Sequence, residues 1–240
     1  MLDQNGISAS PHRVWVEKTL VQDRPDRQEG PERLGAARWS PQSSTNERDI
    51  YANMRAVVPG DIVLHLTDND AITGISEVAE PVDETFRGVA NTVWGDRPCY
   101  RVSLTNFWPL EPPLRREWFF GDPEISEQLR AIVQGPKGRG LFYSGKLEFN
   151  QGAYLTEAPP KLLSALDAAY VTNTGRHIAG LSHVAEAEAA LETEENTAAS
   201  EDGLSSNRRR YWVYSPGQRA FKWDEFYETG IMALGWDNMA

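Results

Sequence analysis

Residues 62 to 79, IVLHLTDNDAITGISEVA, decide the fold. Two strand-like runs, IVLHL at 62–66 and AITGISEVA at 71–79, flank Thr67-Asp68-Asn69-Asp70, whose short polar side chains favour a turn. The pattern predicts a hairpin. Immediately upstream, residues 50 to 58 carry Tyr51, Met54 and Val57 at helical spacing, and Pro59-Gly60-Asp61 supplies the turn chemistry that ends them. Further out, RVWVE at 13–17 alternates as a strand does, and CYRVSLTNF at 99–107 reads as another strand that stops at the proline-rich PLEPPL. Residues 22–48 are polar and read as a long loop interrupted by Trp39-Ser40-Pro41. Two helices are expected at 125–133 (ISEQLRAIV) and 159–171 (PPKLLSALDAAYV), the second with proline in its first turn. Early strands with helices around them predict an α+β domain on a small, strongly bent sheet or barrel.

The chain has 240 residues, 40% apolar and 25% charged, a size that suits two unequal units. No uninterrupted apolar run approaches the roughly 18 residues of a membrane span, so no membrane partner is expected. The start, MLDQNGISASPHR, has no signal-peptide pattern, and the single Cys99 excludes an internal disulfide framework; both fit a cytoplasmic location. The net charge of -11 argues against a nucleic-acid partner until its distribution is considered. Seven acidic and no basic side chains fall in residues 184–202, and 35 acidic residues less these seven leaves 28 against 24 basic. Nucleic acid stays open. This acidic, aromatic-free stretch reads as a linker over 183–210, and the aromatic residues that return at Tyr211 mark the start of a second unit at 211–240.

The side chains that carry chemistry are sparse. His12, His65, His177 and His183 form no paired metal-ligand spacing with one another or with Cys99, and Asp68 and Asp70 read as turn formers, so no metal is expected. No nucleophile elbow is present, and Gly135-Pro136-Lys137-Gly138-Arg139-Gly140 lacks the order of a phosphate-binding Walker loop. Its glycines and two cations, with Lys146, Arg115 and Arg116, suit backbone contacts to nucleic acid and equally suit a plain surface. Trp39 and Trp94 stand out because they lie among polar residues, where an aromatic face can sandwich a flat ring or cap the core from the loop side.

The order of Val14-Trp15-Val16-Glu17, Leu34-Gly35, Trp39-Ser40-Pro41, Met54, Val58-Pro59-Gly60-Asp61-Ile62-Val63-Leu64-His65 and Ile72-Thr73-Gly74-Ile75-Ser76-Glu77-Val78 resembles an EVE domain of the PUA-like superfamily. That superfamily also includes YTH and ASCH domains, and the likeness is nearest to the modules at the N-termini of McrB-type restriction GTPases. It spans residues 12–182, after a flexible 1–11. The tail, with Tyr211-Trp212-Val213-Tyr214-Ser215-Pro216-Gly217, looks like the opening of another such module.

The resemblance implies a small barrel with flanking helices and a pocket for a modified base extruded from nucleic acid. Trp39-Ser40-Pro41 matches the YTH W-S-T segment, whose tryptophan is part of the cage, with Pro for Thr. Trp94 stands where a second cage tryptophan is expected. Thr67, Asp68, His65 and Tyr143 complete the expected base-binding set, with Lys137, Arg139, Lys146, Arg115 and Arg116 on the backbone. No catalytic residue and no cofactor are implied. The expected partner is DNA with a modified, methylated base, read for a restriction or defence system, with a GTPase or nuclease effector in the same or another chain. RNA or modified-nucleotide binding and a protein-interaction role are the alternatives.

Overall fold

The structure, a computed structural model, describes residues 12–43, 51–135, 138, 140–179 and 181. All of them belong to the first of the two units into which the chain divides, residues 1–194. The expected N-terminal segment 1–11, the linker at 183–210 and the second module at 211–240 lie outside the described residues.

The hairpin is present: β3 (Ile62–Thr67) and β4 (Ala71–Val78) pair antiparallel, from Ile62 against Glu77 to Thr67 against Ala71. Asp68 and Asn69, each with a φ of 53°, form the left-handed turn between them, which the Asp70 N–H closes on the Thr67 carbonyl at 2.9 Å. Short polar residues tolerate that backbone region best after glycine, which explains the sequence TDND. β1 (Val14–Thr19) lies parallel to β3, with Glu17 opposite His65, and the short β6 (Leu155–Glu157) pairs antiparallel on its other side. β5 (Cys99–Arg115) pairs with β4, and β2 (Ala37–Pro41) pairs with β5. The result is one mixed six-stranded sheet in the order β2-β5-β4-β3-β1-β6. With its helices it makes an α+β fold.

Three expectations are corrected. The stretch 22–48, read as a loop, contains the one-turn helix α1 (Pro25–Gln28) and strand β2, hidden because its positions 38 and 40 are polar yet buried. The strand expected to end at 107 continues to Arg115. A register shift between Ile72 and Gly74 leaves residues 110–113 without ladder partners, so Pro112 and Pro113 interrupt no hydrogen bond. The helix expected over 50–58 is a single 3-10 turn at Ala52–Arg55.

Two helices cover one side of the sheet, and the short α2 (Arg116–Phe120), which follows β5 directly, packs beside them. α3 (Pro123–Gln134) starts on Asp122, whose carboxylate accepts from the Glu124 and Ile125 N–H groups at 2.9 and 3.0 Å. α4 (Pro160–Thr174) opens with proline and ends at Gly175, with a φ of 70°. Leu129, Leu162, Leu163 and Leu166 from these helices bury themselves against Val14, Val16, Leu64 and Ile72. The opposite faces of the same strands give Trp15, Val63 and Val78, which pack with Tyr51, Met54, Tyr100 and Val102 in a second cluster. Among the described residues no helix is long and apolar enough to cross a membrane.

Candidate functional site

A cavity of about 570 Å³ opens where the end of β1 and the β3–β4 turn meet the segments around Arg24 and Trp94. β1 contributes Lys18 and Thr19, with Leu20 just after it, and β2 contributes Arg38, while Trp94 and Tyr154 supply aromatic wall. Those rings are held from behind. Tyr51 lies 6.5 Å from Trp94 and 5.1 Å from Tyr154 between ring centroids, and burial together with Tyr154 pushes its hydroxyl up to about 12. Trp39 meets Trp94 edge-on at 5.8 Å. The Arg24 guanidinium sits 5.6 Å from the Trp39 ring and 5.7 Å from the Trp94 ring, within cation–π range of both. It is fixed there by two 2.8 Å bonds to Asp26, which also accepts from Trp39 Nε1 at 3.2 Å. Burial would raise the Asp26 carboxyl, but the bonds and charge of Arg24 and the Trp39 bond hold it below its usual value.

Beneath the cavity lies a buried polar network. Alternation along β1 points Glu17 to the side opposite Val14 and Val16, where its carboxylate meets Arg27 at 2.8 Å and His65 Nδ1 at 2.7 Å. His65 Nε2 lies 2.8 Å from Ser76 Oγ, so both ring nitrogens are engaged. Arg27 also donates to the Glu32 and Ala37 carbonyls at 2.7 and 2.6 Å, which ties α1 and β2 to the sheet. Burial alone would raise the Glu17 carboxyl; Arg27, the His65 hydrogen bond and Arg38 outweigh it and hold the group at about 2. Arg38 is the second guanidinium on this carboxylate, its Nε 3.4 Å from Glu17 Oε1.

The residues singled out from sequence fall in different places. Trp94 lines the cavity, and Trp39, only 1% exposed, stands behind it. Ser40 is buried next to Trp39, and its hydroxyl has no hydrogen-bond partner among the described residues. His65 and Thr67 are buried in β3, His65 within the polar network. Asp68 is occupied structurally: Oδ1 accepts from the Val21 and Gln22 N–H groups at 2.7 and 3.1 Å, clasping the chain after β1 to the turn beside the cavity. Tyr143 is not brought to the cavity; it is buried in the helix-side core, its hydroxyl donating to the Leu129 carbonyl at 3.0 Å and pushed up by burial.

Of the expected backbone-binding cations, Arg115 pairs with Asp70 at 3.2 Å and Arg116 lies over Phe149, both exposed next to the β3–β4 turn. Lys146 is exposed on a turn and does not line the cavity. Lys137 and Arg139 lie outside the described residues. Sequence reasoning missed Lys18, Arg24, Asp26, Arg38 and Tyr154. Only Arg38 carried a signal, its place beside Trp39.

Two further groups with potential for chemistry lie outside the cavity lining. Cys99 is buried, its thiol pushed up to about 11 by that burial. His177 is engaged with Asp167 at 2.7 Å on the far face of α4.

No family model matches the chain, and no curated protein does. Among solved structures, a Pseudomonas putida protein from a structural genomics programme is similar at a TM-score of 0.40 with 11% identity, over 65% of this chain and 98% of that one. A hypothetical protein from Leishmania major gives 0.39 with 14% identity, over 68% and 93%. The N-terminal domain of Staphylothermus marinus McrB gives 0.37 with 12% identity, over 66% and 95%. These likenesses are too distant to carry a functional argument.

Proposed function

We propose that residues 12–182 form a non-catalytic recognition module that accepts a modified base extruded from DNA into the cavity. The observation that carries this reading is the cavity wall: Trp94 and Tyr154 line it with aromatic rings, and Lys18, Arg24 and Arg38 bring cations to the same space. Stacking on aromatic side chains and contacts to the base edge offset the few kcal/mol that extrusion costs. A flat ring about the size of a nucleobase fits a volume of about 570 Å³. In this reading Trp94 is the stacking face, and Trp39 holds it upright with Arg24 and Asp26. Arg115 and Arg116 lie near enough to the mouth to meet the flanking phosphates. The resemblance of residues 12–182 to EVE modules supports the same role, as the specificity part of a cytoplasmic restriction or defence system working with a GTPase or nuclease effector.

The test is fluorescence anisotropy with matched duplexes, methylated and unmethylated at one base, followed by the same strands single and by RNA. Tighter binding of a methylated duplex supports the proposal. Equal binding of all DNA duplexes, or a preference for RNA, refutes it.

A further inference from the structure

Under the cavity the buried charges do not balance. Glu17 is one carboxylate, and two guanidinium groups, Arg27 and Arg38, are turned onto it. Asp26, the other partly buried carboxylate at the site, is already engaged in two bonds by Arg24. Counting these five side chains leaves an excess of one positive charge. The two guanidinium groups are also unequally satisfied. Arg27 makes three short hydrogen bonds, to Glu17, Glu32 and Ala37. Arg38 makes one, from Nη1 to the Trp39 carbonyl at 2.7 Å; its Nε, 3.4 Å from Glu17, has no hydrogen-bond partner among the described residues, and neither has the Nε of Arg27, so the difference between the two lies at their terminal nitrogens. Yet its side chain is only 7% exposed, and it lines the cavity. Burying a cation that makes a single hydrogen bond is costly, and an acceptor entering the cavity would offset part of that cost.

From this we propose that Arg38 is a specificity-determining residue that selects a base presenting two adjacent hydrogen-bond acceptors. The inference rests on the base-binding reading of the cavity. A guanidinium fork offers two parallel N–H donors, which match adjacent acceptors and mismatch an edge where donor and acceptor alternate. Cytosine offers such a pair at O2 and N3, and guanine at O6 and N7. Adenine places a donor next to each ring acceptor on those edges, and thymine separates its two carbonyls by an N–H. The excess positive charge adds to the preference, because an acceptor-rich edge carries the complementary partial charge.

The experiment uses the full chain and four duplexes of one sequence, each carrying C, G, A or T opposite an abasic site, so that extrusion costs nearly the same in all. Anisotropy gives the four affinities for the parent, for Arg38→Lys, which keeps the charge without the fork, and for Arg38→Met, which removes both. Thermal melting checks that each variant is folded. The expected result is that C or G binds about tenfold or more tightly than A and T, and that Arg38→Lys removes most of this preference while leaving the weaker duplexes within about threefold. Three results overturn the proposal. The first is a parent that ranks A or T first or binds all four alike, and the second is a ranking that survives in a folded Arg38→Lys. The third is that Arg38→Lys and Arg38→Met weaken all four duplexes alike while pyrophosphate competes with each, which would make Arg38 a phosphate contact. If the parent ranks the bases as expected but ignores methylation, the modified-base reading fails and this inference stands.

Discussion

Along β1, Val14 and Val16 point into an apolar core shared with α3 and α4, while Trp15 and Glu17, one residue away, point to a side where a carboxylate, a histidine and two arginines are buried together. The helix-covered side is held by area removed from water, a contribution that falls by degrees as methylenes are lost. The cavity side is held by charges whose desolvation is repaid only while every partner is present. The difference teaches where the molecule tolerates change: the first side loses stability step by step, the second fails when one member of the network goes. It also bears on the proposed function, because the buried polar network reaches a large aromatic-walled opening through Arg38.

The sharpest way to break this comparison is Glu17→Gln. The substitution keeps the shape but leaves Arg27 and Arg38 without their carboxylate, and removing one member of a buried ion pair typically costs about 3 to 5 kcal/mol. Urea unfolding should report a loss of that order; a loss under about 1 kcal/mol would mean that the network is not a support of the fold. The same group sets a pH dependence. With the folded carboxyl at about 2 against an ordinary value of 4.5, the stabilisation is present above pH 4.5 and is lost as pH falls towards about 2. In the Glu17→Gln variant that part of the acid transition should disappear.

On the helix side, Leu166→Ala is the matching test. Leu166 is fully buried in α4 against the sheet, and its truncation should cost about 3 kcal/mol through lost transfer energy and a residual cavity. Its effect on ligand affinity should be negligible under conditions where the protein is folded. A variant that unfolds no more easily than the parent, or one that is folded but binds DNA tenfold more weakly, would show that the two sides are not separate in the way described.

The same division explains what could be read in the sequence. The hairpin, β1, α3 and α4 were legible because apolar spacing and turn chemistry agree there: TDND between two apolar runs, proline at the helix starts, and leucines on one face of α4. β2 was not, because Arg38 and Ser40 are polar residues in buried positions, and their burial depends on Arg27 and Glu17 arriving from elsewhere in the chain. β5 was cut short at its prolines because the bulge that accommodates them is a property of the pairing with β4. At the site, Trp94 announced itself as an aromatic among polar neighbours. Trp39 gave the same signal, but it is a buried support for Trp94. Lys18, Arg24 and Tyr154 gave none, since they meet only through the topology that brings the end of β1 beside residues 24 and 154.

Trp94→Ala asks whether the aromatic wall belongs to binding more than to folding. Trp94 is half-buried, meets Trp39 and Tyr51 in T-shaped contacts and carries Arg24 over its ring, so melting should fall modestly. Binding to a methylated duplex should weaken by about 1 to 3 kcal/mol, the range for a stacked base, which is about tenfold to hundredfold. Binding to plain duplex, which rests on phosphates and falls steeply with salt, should change little. Trp39→Ala gives the contrast, because loss of a fully buried ring should lower stability first. If Trp94→Ala weakens plain and methylated duplexes equally, the wall is structural and the cavity is not the reader.

The smallest expected effect comes from the helix side again, at Asp122. Its carboxylate accepts from two N–H groups in the first turn of α3, and Asp122→Ala leaves both without that partner. Loss of an N-cap of this kind costs about 1 kcal/mol, roughly a quarter of the Glu17→Gln effect. The size of the gap follows from exposure. Water replaces the lost acceptor at a helix end near the surface, and nothing replaces Glu17 between two buried guanidinium groups. Denaturation should therefore show a small shift in midpoint with an unchanged slope, and all four abasic-site duplexes should bind as they do to the parent. A change in their ranking on Asp122→Ala would mean that α3 helps to shape the cavity, and the separation of the two sides of the sheet would have to be given up.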